Sequence, residues 1–260
     1  MWNIFTYSFC EMVRSRWLFI YTGFYLLTSV ALLALSGDVA KVIISMTNVV
    51  IVLTPLIGIL LGTTYYYNSK EFALLLMAQA LSRWSIFAGI YSGMGLALCA
   101  SAVLGIGVPF LFFGILASPD LPAYLILLGV SCILSVVFSL IAFLVAMRFD
   151  DKVKGLSIAL FIWLFFAVLY DGLFLLLLLI FRDYPLDHLT VSMVVLNPID
   201  LARILILLKL DLAAMMGYTG AVLSQFFGKG PGMLFILGSL LMWIFVPLWR
   251  LKVLGERRDF

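Results

Sequence analysis

The sequence predicts an all-α polytopic membrane protein with six transmembrane helices. Of its 260 residues, 65% are hydrophobic and only 11% are charged, and the mean hydropathy is +1.21. Soluble domains of this length do not have such a composition. A transmembrane helix needs about 20 mostly apolar residues, and six runs meet that length. They lie at 17–36, 42–66, 85–116, 122–147, 156–181 and 231–250, so residues 1–260 are expected to form a single transmembrane domain.

The basic residues predict how these spans are oriented. Lys and Arg are enriched in the short loops that stay in the cytoplasm. With a cytoplasmic amino terminus, eleven of the 16 Lys and Arg residues fall on the cytoplasmic side. Six spans then return the carboxyl terminus to the cytoplasm as well. Membrane lipid is therefore an expected partner, and nucleic acid is not.

Residues 1–16 are expected to form an interfacial helix that precedes the first span. Trp2, Phe5, Phe9 and Met12 recur at helical spacing, which is typical of a helix lying in the membrane interface. The alternative is that this segment simply begins the first span. The Arg-Ser-Arg sequence at 14–16 favours a separate helix.

The segment YYYNSKEFALLLMAQALSRW at 65–84 predicts a short cytoplasmic helix at 67–83 between spans two and three. Asn68 can cap its first turn, Glu71 can complete a capping box, and Arg83 suits its last turn. One interpretation is a helix that docks in a groove of a partner protein, and the other is a plain hairpin. The residues expected to contact a partner are Asn68, Lys70, Glu71, Phe72, Leu75, Gln79 and Arg83.

Two glycine pairs mark faces where helices can approach closely. Gly58 and Gly62 lie in the second run, and Gly89 and Gly93 lie in the third. GxxxG spacing allows close contact between helix backbones in lipid. The partner of each face is either another helix of the same chain or a second copy.

Asp171 is the one acidic residue deep within an apolar run, in VLYDGLF. An unpaired carboxylate in lipid is costly, so we expect this side chain to be paired, protonated or facing water. It is either part of a polar cavity or hinge, or a structural acid bound to a neighbouring hydroxyl.

Residues 183–230 predict external helices rather than a simple loop. Asn197, Pro198 and Asp200 are typical of a helix start, and the helix should end near Lys209. It is too short to span and should be re-entrant or interfacial. A second helix is expected from Leu212 or Tyr218 to residue 227, so that the two form a lid.

The residue types indicate no catalytic or metal centre. Cys10, Cys99 and Cys132 are far apart in sequence, and the chain has one His. Three external thioethers, Met193, Met215 and Met216, are of the type that binds Cu(I), although we favour packing for them. GKGPG at 228–232 is not a P-loop, since no Ser or Thr follows the Lys. We expect no enzyme and no cofactor in this chain.

The helix order resembles the ABC-2 family of ATP-binding-cassette permeases, also called type V exporters, over essentially the whole chain. More narrowly, YYYNSKEFALLLMAQALSRWSIFAGIY and NPIDLARILILLKLDLAAMMGYTGAV are similar to segments of the NosY family, whose permeases serve copper-site maturation of nitrous oxide reductase. The resemblance implies a homodimeric permease in the bacterial inner membrane. Two copies of a NosF-like cytoplasmic ATPase would bind ATP and Mg, and a NosD-like periplasmic β-helical protein would bind outside.

The resemblance also implies functions for the segments described above. The 67–83 helix would couple to the ATPase, and the external helices would bind the periplasmic partner through Asn197, Asp200, Arg203, Leu207 and Tyr218. The permease would transmit force to copper-site assembly or export a sulfur compound. The alternatives are an ABC-2 exporter of a lipid, peptide or drug, and a channel or membrane enzyme without an ATPase.

Overall fold

The computed structural model describes residues 2–36, 38–79, 81–181, 187–210 and 230–257, and their regular structure is entirely helical. Six helices are long and apolar enough to cross a membrane: 16–35, 39–77, 83–112, 121–148, 152–180 and 232–256. The prediction of an all-α polytopic membrane protein is confirmed. The helices are α1 (Trp2–Val13), α2 (Arg16–Leu35), α3 (Val39–Met77), α4 (Arg83–Phe112), α5 (Leu121–Arg148), α6 (Lys152–Leu164), α7 (Tyr170–Ile180), α8 (Asp187–Val195), α9 (Pro198–Lys209) and α10 (Gly230–Arg257).

Successive spans run in opposite directions and define two ends of the bundle. We call the end with α1 and the carboxyl terminus of α10 the terminal end, and the other the distal end. The fifth span consists of α6, a π-helical turn at Phe165–Leu169, and α7. A short 3-10 turn at Ile115–Ala117 connects spans three and four at the distal end.

The centre of the bundle is the contact of α3 with α5. A Cβ atom added to Gly62 would lie 2.9 Å from the Ser139 carbonyl oxygen, and one added to Gly58 would lie 3.3 Å from that of Ser135. A side chain at Gly62 would force the helices to shift and one at Gly58 would be tight, as in other small-residue contacts between membrane helices. The Gly58 and Gly62 face therefore packs within the chain and is not free for a second copy.

The amino-terminal segment forms a separate helix, as expected, and packs against α4. A Cβ added to Gly93 would lie 2.7 Å from the Phe5 carbonyl oxygen, so the Gly93 face is also used within the chain. The buried side chains of α1 are Ile4, Ser8 and Met12. Trp2 is exposed instead. The reason is that α1 contacts α4 where the two backbones approach at Gly93, and not through the predicted row of Trp2, Phe5 and Phe9.

The predicted separate helix at 67–83 is wrong, because α3 continues without a break to Met77. Asn68 lies within this helix and does not cap it. Arg83 is the first residue of α4, which Ser82 caps by accepting from the Ser85 N–H. The continuation is favoured by a buried row at helical spacing, formed by Tyr66, Ser69 and Ala73. Span two thus extends beyond the bundle core in one piece.

The external segment contains a helical hairpin that enters the bundle. Asn197 caps α9, Pro198 is its first residue and Lys209 its last, as predicted. With 12 residues, α9 is about 18 Å long, too short to span. Most of it is buried, which agrees with a re-entrant helix rather than an interfacial one. The second predicted helix, with Tyr218, Met215 and Met216, lies outside the described residues.

Cys99 and Cys132, far apart in sequence, are neighbours on α4 and α5. Each thiol lies near the other residue's carbonyl oxygen, at 3.7 and 4.0 Å, and both cysteines are free. This proximity results from helix packing, and the spacing of the two cysteines in the sequence does not predict it.

Replacing Gly62 by Ala should destabilise the protein by about 1–3 kcal/mol, since the added methyl would overpack the α3–α5 contact. The measurement is the free energy of unfolding in detergent. Gly129→Ala is the matched control, because a Cβ added at this position meets nothing within 4 Å and alanine favours helix. Equal stability of the two variants would contradict the close contact.

Candidate functional site

A polar cluster joins the start of α9 to the fifth span. The Asn197 side-chain oxygen accepts from the Ile199 N–H at 3.0 Å and so caps α9. Its amide group lies 2.8 Å from Asp200 Oδ2 and 3.1 Å from the Phe166 carbonyl oxygen, and donates to both. That carbonyl belongs to the π-helical turn, a feature that often occurs at functional sites. The buried Asn197 side chain thus connects the start of α9 to the π-helical turn of span five.

Arg203 completes this cluster. Its Nη1 atom lies 3.1 Å from Asp200 Oδ1 and 3.3 Å from Asp171 Oδ2. Asp171 is therefore paired, which was one of the three states expected for it. Its partner is a guanidinium and not a hydroxyl. The polar cluster, defined as Asp171, Asn197, Asp200 and Arg203, holds two carboxyl groups and one guanidinium.

Asp200 lies on α9, outside the six spans, and is buried. Burial, followed by the neighbouring Asp171 carboxylate, raises the pKa of Asp200 from its ordinary value of 3.8 to about 6, against the opposing effect of Arg203. Two like charges beside one counter-charge favour protonation of one of them. Asp200 therefore keeps its proton to a higher pH than an ordinary aspartate does.

Two further hydrogen bonds fix the end of α8. The Tyr170 hydroxyl donates to the Met193 carbonyl at 2.6 Å, and the Trp243 indole donates to the Val195 carbonyl at 3.2 Å. Spans five and six thus hold the turn of the hairpin from two sides. Within the described residues, no three His, Cys, Asp or Glu side chains form a group that could bind a metal.

Three of the five residues predicted to bind an external partner are used inside this cluster. Asn197 and Asp200 are buried, and Arg203 binds both carboxylates. Leu207 is half-buried, and Tyr218 lies outside the described residues. Hydrogen bonds and ion pairs within the chain thus occupy Asn197, Asp200 and Arg203, and their binding of an external partner stays a prediction.

At the opposite end, the last turns of α3 and the start of α4 present a surface that we call the terminal face. It consists of the exposed residues Asn68, Glu71, Leu75, Gln79 and Arg83. The other two predicted contact residues have partners in the chain. Phe72 stacks on Tyr7 of α1 with 4.7 Å between the ring centroids, and Lys70 binds Asp150 at 2.9 Å.

The turn at 149–151, between spans four and five, is attached to α3 beside this face. The Tyr67 hydroxyl lies 2.7 Å from the Phe149 carbonyl oxygen and 3.1 Å from that of Asp151. Gly155 packs directly beneath the Tyr67 ring, where a Cβ would overlap it. The end of α3 and the beginning of span five are therefore one connected unit.

Sequence reasoning missed these contacts, although one signal was available. Asp151 caps α6 by accepting from the Val153 and Lys154 N–H groups, and an aspartate before an apolar run is typical of a helix start. The contacts of Tyr67 and Lys70 with residues 80 and more positions away carry no such local signal.

The six candidate membrane spans agree with the names of two relatives of the chain. It is 29% identical over 231 residues to a Pseudomonas aeruginosa protein named "Probable ABC transporter permease protein NosY", covering 82% of this chain and 84% of that protein. The chain is thus similar to a protein named as a NosY permease. A Stutzerimonas stutzeri protein of the same name is 26% identical, covering 79% of this chain and 80% of its own length. No family model matches. These relatives confirm the predicted resemblance and support a multi-pass membrane subunit of an ABC transporter, a permease rather than an enzyme.

Replacing Arg203 should destabilise the permease more than replacing Asp171. Arg203→Met leaves two carboxyl groups without their cation and should cost about 3 kcal/mol, whereas Asp171→Leu leaves the Arg203–Asp200 pair intact and should cost under about 1 kcal/mol. The measurement is the free energy of unfolding in detergent. Equal losses would show that the cluster does not act as a charge-balanced unit.

The stability of the permease should depend on pH through Asp200. Because its folded-state pKa is raised, the folded protein retains this proton between about pH 4 and pH 6 while the unfolded chain loses it. The Asp200 contribution to stability is therefore present below about pH 4 and is lost as the pH rises to about 6. Asp200→Asn should remove this part of the profile when thermal midpoints are compared from pH 4 to 7. The control Asp120→Asn, on the distal surface, should retain it.

Proposed function

We propose that this permease couples ATP hydrolysis by a separate cytoplasmic ATPase to periplasmic copper-site assembly of nitrous oxide reductase. Its two relatives carry the NosY name and are similar to it over about four fifths of the chain. The role proposed for the permease itself is force transmission between a cytoplasmic and a periplasmic partner. ATP and Mg would be bound by the ATPase.

The attachment of the terminal face to span five is the observation that carries this proposal. Glu71 and Leu75 are exposed on α3, and Gln79 is exposed just after it; Glu71 and Leu75 lie within eight residues of Tyr67 and Lys70. Those two side chains hold the turn at 149–151 by the hydrogen bonds and the ion pair described above. A partner that moves the end of α3 therefore also moves the beginning of span five.

Span five offers a path to the other side of the membrane. It runs from the 149–151 turn to the polar cluster, where Asp171 binds Arg203 and the Phe166 carbonyl accepts from Asn197. These contacts pass a displacement of the span to the hairpin of α8 and α9. Force transmission requires a continuous series of physical contacts between the surfaces that bind the two partners.

The proposed assembly is a homodimer in the bacterial inner membrane with both termini in the cytoplasm. The excess of Lys and Arg at the terminal end supports this orientation. Two NosF-like ATPases would bind at the terminal face, and a NosD-like β-helical protein would bind at the distal end. The dimer contact would use surfaces other than the Gly58, Gly62 and Gly93 faces, which are filled within the chain.

The experiment that tests the proposal is co-purification of the tagged permease with a separately expressed NosF-like ATPase and a NosD-like periplasmic protein. Capture of both is expected. Capture of the ATPase without the periplasmic protein would favour an exporter of another substrate. Capture of neither would contradict an ATPase-coupled function and favour a channel or membrane enzyme.

Glu71→Lys should reduce ATPase capture at least about tenfold, because a reversed charge in a docking surface adds repulsion and leaves a partner cation unpaired. The measurement is the amount of ATPase retained on the immobilised permease at fixed salt. Leu116→Lys is the control, since it adds a positive charge to an exposed residue at the distal end. Undiminished capture and unaltered ATPase activity with Glu71→Lys would show that the ATPase docks elsewhere.

A further inference from the structure

A charged cleft of about 570 Å³ opens at the distal end, where three separate connections of the chain meet. Asp38 and Lys41 come from the start of α3, Asp120 from the link before α5, and Lys209 from the end of α9. We define the charged cleft by these four residues. Its remaining lining is mainly apolar and comes from Ala40, Ile44, Pro119, Pro122, Ala123 and Leu210.

The charged cleft gathers the charged side chains that the structure describes on the distal surface. Every charged side chain that the structure describes on this surface lines it. Among the described distal residues outside the cleft, Leu35 and Phe112 are apolar and 84% and 86% exposed. An apolar floor with a charged rim is the composition of a protein-binding surface, in which charges set specificity and orientation.

Asp38, Lys41 and Asp120 have contacts within the chain that leave bonding capacity for a ligand. The Asp38 carboxylate caps α3 by accepting from the Ala40 N–H at 3.0 Å and lies 3.7 Å from Lys41. Asp120 accepts from the Ser118 hydroxyl at 3.4 Å. No carboxylate in the described part of the chain lies within 4.0 Å of the Lys209 ammonium. Asp120 and Lys209 therefore present one acceptor and one cation.

We propose that the charged cleft is the docking site for the external protein partner, and that it receives a loop of that partner carrying both a basic and an acidic side chain. The inference rests on the proposed function, which supplies an external partner. It assigns docking to Lys209 and Asp120, because Arg203 is engaged by Asp171 and Asp200 inside the bundle. The basic side chain of the loop pairs with Asp120, and the acidic one pairs with Lys209.

The balance of charges favours a protein over a lipid as the occupant. Anionic lipid headgroups are bound by clusters of basic residues, whereas this cleft carries two carboxylates and two ammonium groups. Two prolines, Pro119 and Pro122, restrict the backbone of one wall. A preformed wall reduces the ordering cost of binding a complementary loop.

The experiment measures capture of a purified NosD-like periplasmic protein by the full-length permease in nanodiscs, with its ATPase bound. Lys209→Glu and Asp120→Lys should each weaken capture at least about tenfold, which corresponds to about 1.4 kcal/mol. Leu116→Glu is the matched control, because it places a charge on an exposed distal residue that does not line the cleft. Its capture should equal that of the wild type.

Site-specific photocrosslinking provides a second readout that does not depend on loss of binding. A crosslinker at position 209 or 120 should label the partner, and one at position 116 should not. Wild-type capture with undiminished capture by both charge variants would overturn the cleft assignment and leave the proposed function intact. No capture by the wild type would overturn the external partner itself. Labelling of phosphatidylethanolamine instead of the partner would identify the cleft as a lipid site and also overturn the assignment.

Discussion

The close contact between α3 and α5 is the constraint on which the rest of the structure depends. Lipid supplies no hydrophobic force that drives helices together, so association depends on shape and polar contacts. Gly58 and Gly62 provide the shape by allowing the α5 backbone to approach. Because α3 is one helix of 39 residues, this contact places both of its ends. One end contributes Asp38 and Lys41 to the charged cleft, and the other carries the terminal face.

Span five is attached to this framework differently. Only 6% of its most apolar window is buried, against 56% for spans two, three and four. Polar contacts add to its attachment, notably at the 149–151 turn bound by Tyr67 and Lys70, at Trp163, whose indole donates to the Val52 carbonyl, and at the polar cluster around Arg203. Elements with few buried apolar contacts are the ones that move at low free-energy cost. The arrangement suits a span that shifts while the α3–α5 contact stays fixed.

Local patterns predicted the spans and the start of α9, because apolar length and the Asn-Pro-Ile-Asp sequence depend on neighbouring residues alone. The predicted helix start at Asn68 was wrong because it depends on more than the neighbouring residues. A capping residue competes with helix continuation, and here burial of Tyr66 and Ala73 favours continuation. The Arg203–Asp171 pair joins residues 32 positions apart, so it follows from the path of the hairpin and not from any sequence spacing. For the same reason, the sequence could not tell that Arg203 points inward while Lys209 reaches the surface.

This division of roles along α9 connects the polar cluster to the charged cleft. Arg203 and Lys209 lie six residues apart, which is about 9 Å along the axis and places them on different sides of the helix. A guanidinium can bond two carboxylates at once, so Arg203 ties the helix to Asp171 of span five and to Asp200 on α9 itself. Since α9 is a single helix capped at Asn197, Asp171 is joined to Lys209 through one helical element. The rim of the cleft is therefore physically connected to span five, which begins next to the terminal face on the other side of the bundle, as the proposed force transmission requires.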